Sequence, residues 1–203
     1  MSKRVYIDVG ANDGSSLIHF VKRRNNIIYA FEPTPRMIAI IKSKTKNYKN
    51  YILIPKAVSN YNGTSKFNIS GQGDWGCSSL SNFNDNLLET WPERTDFKVT
   101  ETIDVEVIKL KDFVIKNKIK SIEYLHVDAQ GHDLEVLMGL EDYIRIVKSG
   151  VIEMPISHEK KLYKDQKYIV DDAIKYLEMN GFKIIDKKWN DEYENEMNIY
   201  FSK

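Results

Sequence analysis

The feature that most narrows the fold is the stretch Tyr6-Ile-Asp-Val-Gly-Ala-Asn-Asp-Gly14. It opens within a short apolar run, Val5 to Val9, of the kind that forms a buried strand. Asp8 interrupts that run near its end. Gly10, a short polar turn and Gly14 follow, and then a segment that places Leu17, Phe20 and Val21 on one helical face. Strand, glycine turn and helix together present backbone N–H groups and a positive helix end to a ligand. The plain alternative is an ordinary strand-to-helix turn in an α/β protein.

The same alternation continues along the chain. Ile27 to Phe31 reads as a second strand, ending at Glu32-Pro33. An acid at that tip is placed to hold a ribose hydroxyl pair, and Glu32 lies 18 positions after Gly14. A helix with Met37, Ile38, Ile40 and Ile41 follows, then a third strand over Tyr51–Val58. Thr64–Ile69 and Thr100–Leu110 alternate like half-exposed strands that pair with each other. Between them Gly71–Ser81 forms a long loop, and Phe83–Lys98 is polar, irregular or briefly helical. Lys111–Lys118 is a short helix. Ile122–Asp128 is the fourth core strand, turned by Ala129-Gln-Gly131 into a helix with Leu134, Leu137 and Met138. Val147–Met154 is the fifth strand and Tyr168–Asn180 a helix capped by Gly181. Phe182–Asp186 and Met197–Phe201 are two strands with no helical signal between them, which implies an antiparallel pair.

Composition bounds the partners. The 203 residues suit one domain spanning 1–203, and 42% hydrophobic content is enough for a core. Thirty basic and 29 acidic residues leave a net charge of +1, which gives no footprint for nucleic acid. The lysine run Lys42–Lys49 reads as a solvated helix end. A single cysteine, Cys77, forms no internal disulfide and suits a reducing, cytoplasmic compartment. No signal peptide or membrane-spanning run is expected.

Alternating strands and helices predict a parallel sheet covered on both faces. The first turn departs from a dinucleotide fingerprint, because Asn12 stands at the middle glycine position. The final antiparallel pair also departs from a nicotinamide-binding fold. A nucleoside without a pyrophosphate, such as S-adenosylmethionine, tolerates both. A nicotinamide-dependent oxidoreductase is the rival reading.

Asp8-Val-Gly-Ala-Asn-Asp-Gly14, Phe31-Glu-Pro33, Ala57-Val-Ser59, Ser78-Ser-Leu80, His126-Val-Asp-Ala-Gln-Gly131 and Val151-Ile-Glu153 occur in the order found in FkbM-type methyltransferases, which this chain resembles. His126 stands where that family usually has lysine, and Gln130 where glutamate is common. The resemblance implies a Rossmann-like class I methyltransferase fold, with a mostly parallel seven-stranded sheet, a C-terminal antiparallel hairpin and an inserted β segment. It implies S-adenosylmethionine as cofactor and O-methylation of a sugar or glycan hydroxyl, or of a polyketide-type hydroxyl. By position it implies that Gly10, Asn12 and Gly14 wrap the methionine end, with Asp8 supporting the amino group. Glu32 would hold the ribose, and Ser59 or its neighbours the adenine.

Methyl transfer to oxygen requires alignment, exclusion of water and removal of one proton. Asp128 lies at a strand tip, where open α/β sheets bind ligands, and is a candidate both for the base and for cofactor contact. His126, two residues earlier on the same strand face, and His132, at the following helix start, are further candidate bases. Asp128, Asp133 and Glu153 are hard ligands of the kind Mg²⁺ takes, but they are scattered and no metal is assigned.

Overall fold

The computed structural model describes residues 3–71, 75–95 and 97–203. Its main sheet has seven strands. In chain order β1 is Arg4–Val9, β2 Asn26–Phe31 and β3 Tyr51–Ile54. A second sheet takes β4 Ala57–Val58, β5 Gly63–Ser70 and β6 Val99–Ile108. The main sheet continues with β7 Tyr124–Val127, β8 Ser149–Pro155, β9 Lys183–Trp189 and β10 Glu196–Ser202. Spatial order is β3-β2-β1-β7-β8-β10-β9. β3, β2, β1, β7 and β8 run parallel. β10 is antiparallel to both β8 and β9, so the expected terminal hairpin is present.

Strand periodicity divides the apolar side chains between two layers. Ile7, Val9, Leu125, Val127 and Ile152 join one buried cluster. Helices α3 (Leu110–Lys116), α4 (Asp133–Met138) and α5 (Val170–Met179) cover that face, contributing Val114, Leu137 and Leu177, while the short α2 (Leu87–Thr90) packs apart from it through Leu87, in a cluster with Trp91 and Phe97. Tyr6, Ile28 and Ala30 point to the other face, under Ile41 of α1 (Pro35–Thr45). Pro35 opens α1, where the missing N–H costs no hydrogen bond. Gly181 ends α5 at φ +80°, in the left-handed region where glycine is unstrained.

Two local expectations change. The segment after Gly14 is a single short 3-10 helix, Ile18–Lys22, rather than an amphipathic α-helix. Leu17 and Val21 are buried as expected, but Arg23-Arg24-Asn25 ends the element before it can lengthen. No helix dipole therefore points at a ligand from this turn. Tyr51–Val58 is not one strand either, because Pro55 lacks the ladder donor and parts β3 from β4. β4 crosses into the second sheet, in the order β4-β6-β5. The expected pairing holds there, with Thr64 opposite Glu106 and Phe67 opposite Ile103. Of the loop expected over Gly71–Ser81, positions 72–74 lie outside the described residues.

Candidate functional site

Two cavities open at the carboxyl ends of the parallel strands. The first is lined by Gly10 and Asn12 after β1, Glu32 after β2, Val58 of β4, Phe67 of β5 and Asp128 after β7.

Main-chain contacts shape it. Gly10 has φ +74°, and a Cβ there would lie 1.7 Å from the Asp128 carbonyl oxygen. Only glycine lets the β1 turn press against the end of β7. The backbone N–H groups of Gly10 and Ala11 both donate to the Phe31 carbonyl, at 3.1 and 3.0 Å. Asn12, at φ +48°, takes a left-handed conformation that asparagine tolerates well. Its N–H donates to Glu32 Oε2 at 2.9 Å, and the Thr34 N–H donates to Oε1 at 2.8 Å. Burial pushes the Glu32 carboxyl up to about 7, against these two donors, with a further rise from nearby Asp128.

Gly14 lies outside the cavity lining. Its φ of +79° answers to packing, since a Cβ would meet Tyr51 Oη at 3.1 Å and Ile41 at 3.2 Å. Ser59 also sits behind the wall. It is fully buried, with Oγ 3.2 Å from His132 Nδ1, while its neighbours Ala57 and Val58 face the cavity. The alternative in which neighbours of Ser59 meet the ligand is the one this geometry favours.

The two histidines are engaged elsewhere. His126 Nδ1 lies 2.8 Å from Oδ1 of fully buried Asp8, its register partner on β1. Burial opposes charge on this imidazole, but the Asp8 carboxylate outweighs it and raises the pKa. Asp8 Oδ2 is buried with no hydrogen-bond partner among the described residues. His132 bridges two serines, with Nε2 3.2 Å from Ser81 Oγ. Burial holds it down at about 4, so it is neutral at physiological pH. Both ring nitrogens of His132 have partners, and neither histidine lines either cavity, although the charge of Asp128 reaches His126.

Asp128 stands where the two cavities meet. The second shares Asn12, Gly76, Asp128 and Gln130 with the first. Beyond them come Trp91, Arg94, Phe97, Asn190, Glu153 and Glu196. Gln130 Nε2 donates to Asp128 Oδ1 at 2.6 Å and reaches Glu153 Oε1 at 3.5 Å. Tyr163 Oη donates to Gln130 Oε1 at 2.5 Å, which fixes the amide's orientation. Asp128 is not the cap of the next helix. The N-cap position is His132, with no side-chain cap bond, and Asp133 instead fastens the preceding turn, accepting from the N–H groups of Ala129 and Gly131 at 2.5 and 3.0 Å. Among the described residues no group of three or more acidic, histidine or cysteine side chains is arranged to hold a metal. No helix among them is long and apolar enough to cross a membrane.

Glu196, Trp91 and Arg94 did not stand out in the sequence. The available signal for Glu196 was an acid opening an otherwise apolar last strand. Trp91 and Arg94 lie in a polar segment whose periodicity says nothing about a site.

Comparison with known proteins agrees with this geometry. The fold resembles that of the Streptococcus mutans protein SMU.1697c in complex with SAH, at a TM-score of 0.53 and 11% identity, over 99% of this chain and 89% of that one. Methanococcus jannaschii fibrillarin matches at a TM-score of 0.52 and 15% identity, over 98% and 66%. At these identities the likeness shows the fold alone. In sequence, 2-O-methyltransferase NoeI of Sinorhizobium fredii is 30% identical over 168 residues, covering 80% of this chain. The chain spans 66% of that relative's length. The methyltransferase FkbM domain model matches residues 8–184. With a sheet of class I methyltransferase order, the chain belongs to the FkbM family of S-adenosylmethionine-dependent methyltransferases.

Proposed function

We propose that the protein transfers a methyl group to a hydroxyl of a sugar or glycan, with Asp128 as general base. The observation that carries this is the meeting of two cavities at one carboxylate. One brings the Glu32 carboxyl together with apolar Val58 and Phe67, and the other combines aromatic walls with polar edges.

The residues present fit the cofactor. Glu32, fixed by two backbone donors, keeps lone pairs for the ribose hydroxyls. Val58 and Phe67 offer apolar surface to the adenine. Asp8 Oδ2 is an acceptor suited to the ammonium of the methionine end, and His126 positions that carboxylate through Oδ1. When bound, the cofactor supplies an electrophilic methyl on a sulfonium. Asp128 takes the hydroxyl proton as the oxygen attacks, and Gln130 aims its carboxylate. Such a positioned base contributes roughly 10²–10⁴-fold.

Trp91 and Phe97 suit the apolar face of a sugar ring, while Asn190 and the carboxyl groups suit its hydroxyl rim. The name of the Sinorhizobium relative supports oxygen as the accepting atom. Incubating candidate glycans with enzyme and cofactor, followed by mass spectrometry, tests the proposal. The expected product gains one methylene on a hydroxyl, with stoichiometric demethylated cofactor. Methylation of nitrogen or carbon instead would overturn it.

A further inference from the structure

The second cavity holds more acid than one deprotonation requires. Glu153 lies on β8 and Glu196 opens β10. Glu196 is opposite Pro155, and Asn198 is opposite Glu153, so the two acids are diagonal neighbours on one sheet face. They are 8% and 6% exposed. Two buried carboxyl groups placed this way repel each other when both are ionised, which favours keeping one proton between them. Burial first, then the charge of Asp128, raises both, Glu196 to about 8.

The strongest charges acting on the pair are acidic. Asp128, Asp133 and Asp191 are close by, and the Asp133 and Asp191 carboxylates cap backbone N–H groups. Arg94 is the basic side chain lining the cavity, with its guanidinium 4.0 Å from the centre of the Phe97 ring. Tyr163 adds a neutral phenol beside the acids. A separate feature marks the cavity as built for an occupant. Trp91, 3% exposed, lines it with an indole N–H that has no partner among the described residues.

The cofactor carries one positive charge at sulfur, and methyl transfer removes it. With the nucleoside in the first cavity and the methyl directed to the second, that sulfur lies at their junction beside Asp128. We propose that the Glu153–Glu196 pair, acting with Asp128, makes the pocket prefer the charged donor over its neutral demethylated product. The pair thereby promotes product exit and limits product inhibition. A cation arriving at the junction favours the ionised form of the pair, so donor binding expels the shared proton and product binding leaves it in place. The inference rests on where the cofactor lies and not on the identity of the acceptor.

Calorimetry without acceptor tests it. S-adenosylmethionine and S-adenosylhomocysteine are each titrated into wild-type protein at pH 7, in two buffers of different ionisation enthalpy. Wild type is expected to release protons with the first ligand and not with the second. The affinity ratio of donor to product is expected to rise severalfold from pH 6 to 8.5. In Glu196→Gln and Glu153→Gln/Glu196→Gln the ratio at pH 8 should fall at least about fivefold, mainly through weaker donor binding. Retained product affinity would show that the variant pocket is intact. Equal proton release with both ligands in wild type, or a ratio unchanged in an intact variant, would overturn the proposal. Failure of the glycan methylation assay would leave these binding results standing, so the two readings fail separately.

Discussion

In the first cavity the deciding contacts belong to the main chain. Gly10 touches the Asp128 carbonyl region, Asn12 and Thr34 donate N–H groups to Glu32, and the strand tips set the spacing. In the second cavity they belong to side chains. Glu153, Glu196, Gln130, Trp91 and Arg94 come from segments far apart in the chain. On the proposed reading, the cavity framed by backbone is tied to the fold and would hold the common cofactor, and the one framed by side chains could change acceptor without altering the fold.

The same difference explains how much was legible in the sequence. Asp8, Gly10, Asn12 and Glu32 lie within two short strand-turn units; spacing pointed to Glu32 and the family resemblance to the others, and Gly10, Asn12 and Glu32 line one cavity. Asp128 was legible as the end of a buried strand. His126 and His132 were not, because a histidine near a strand tip looks the same whether it faces a ligand or a neighbouring side chain. Asp8 and the two serines that engage them are 118, 73 and 51 residues away in sequence. The Pro55 break was visible as a proline, yet a switch of sheets depends on β6, which enters more than 40 residues later. The acid pair and Trp91 join only through tertiary packing, which no local pattern encodes.

Several substitutions would break or sharpen the contrast between the two cavities. The largest effect is expected from Asp128→Asn at the junction. Methyl transfer should fall about 10²–10⁴-fold while affinity for the uncharged demethylated product stays within a few-fold. A parallel loss of product binding in calorimetry would assign Asp128 to the frame of the first cavity instead. Gly10→Ala tests the backbone frame. A Cβ 1.7 Å from a carbonyl oxygen, at positive φ, should destabilise the fold by about 3 kcal/mol or more and weaken cofactor binding at least about 100-fold. Unchanged denaturant midpoint and affinity would contradict that frame.

Glu32→Gln should weaken the cofactor by roughly tenfold, the range for a hydrogen bond to a charged group. In wild type the affinity contribution of Glu32 should grow as pH rises through about 7, as its carboxyl ionises. Stability runs the other way. Burial holds Glu32 and Asp133 at about 7 and Glu196 at about 8, so the folded chain keeps protons that the unfolded chain has released. More protons bound when folded means that stability falls as pH rises from about 4.5 to about 8. His132, held at about 4, acts in the opposite sense below its ordinary value. Melting temperature should therefore decline toward pH 8.5, and Glu196→Gln should flatten the upper part of that decline.

The smallest effect is expected from His132→Gln. Losing one of two serine contacts should cost about 1 kcal/mol, with turnover within twofold of wild type. A collapse in turnover would place that ring in the reaction after all.

The contact between Gly10 and the carbonyl of Asp128 carries a last consequence. It clamps the tips of two adjacent central strands at one fixed separation. If the proposed roles hold, the gap between donor seat and proton acceptor is a property of the scaffold, and exchange of the distant hairpin or the Trp91 segment would alter which acceptor is admitted while leaving that gap inherited unaltered.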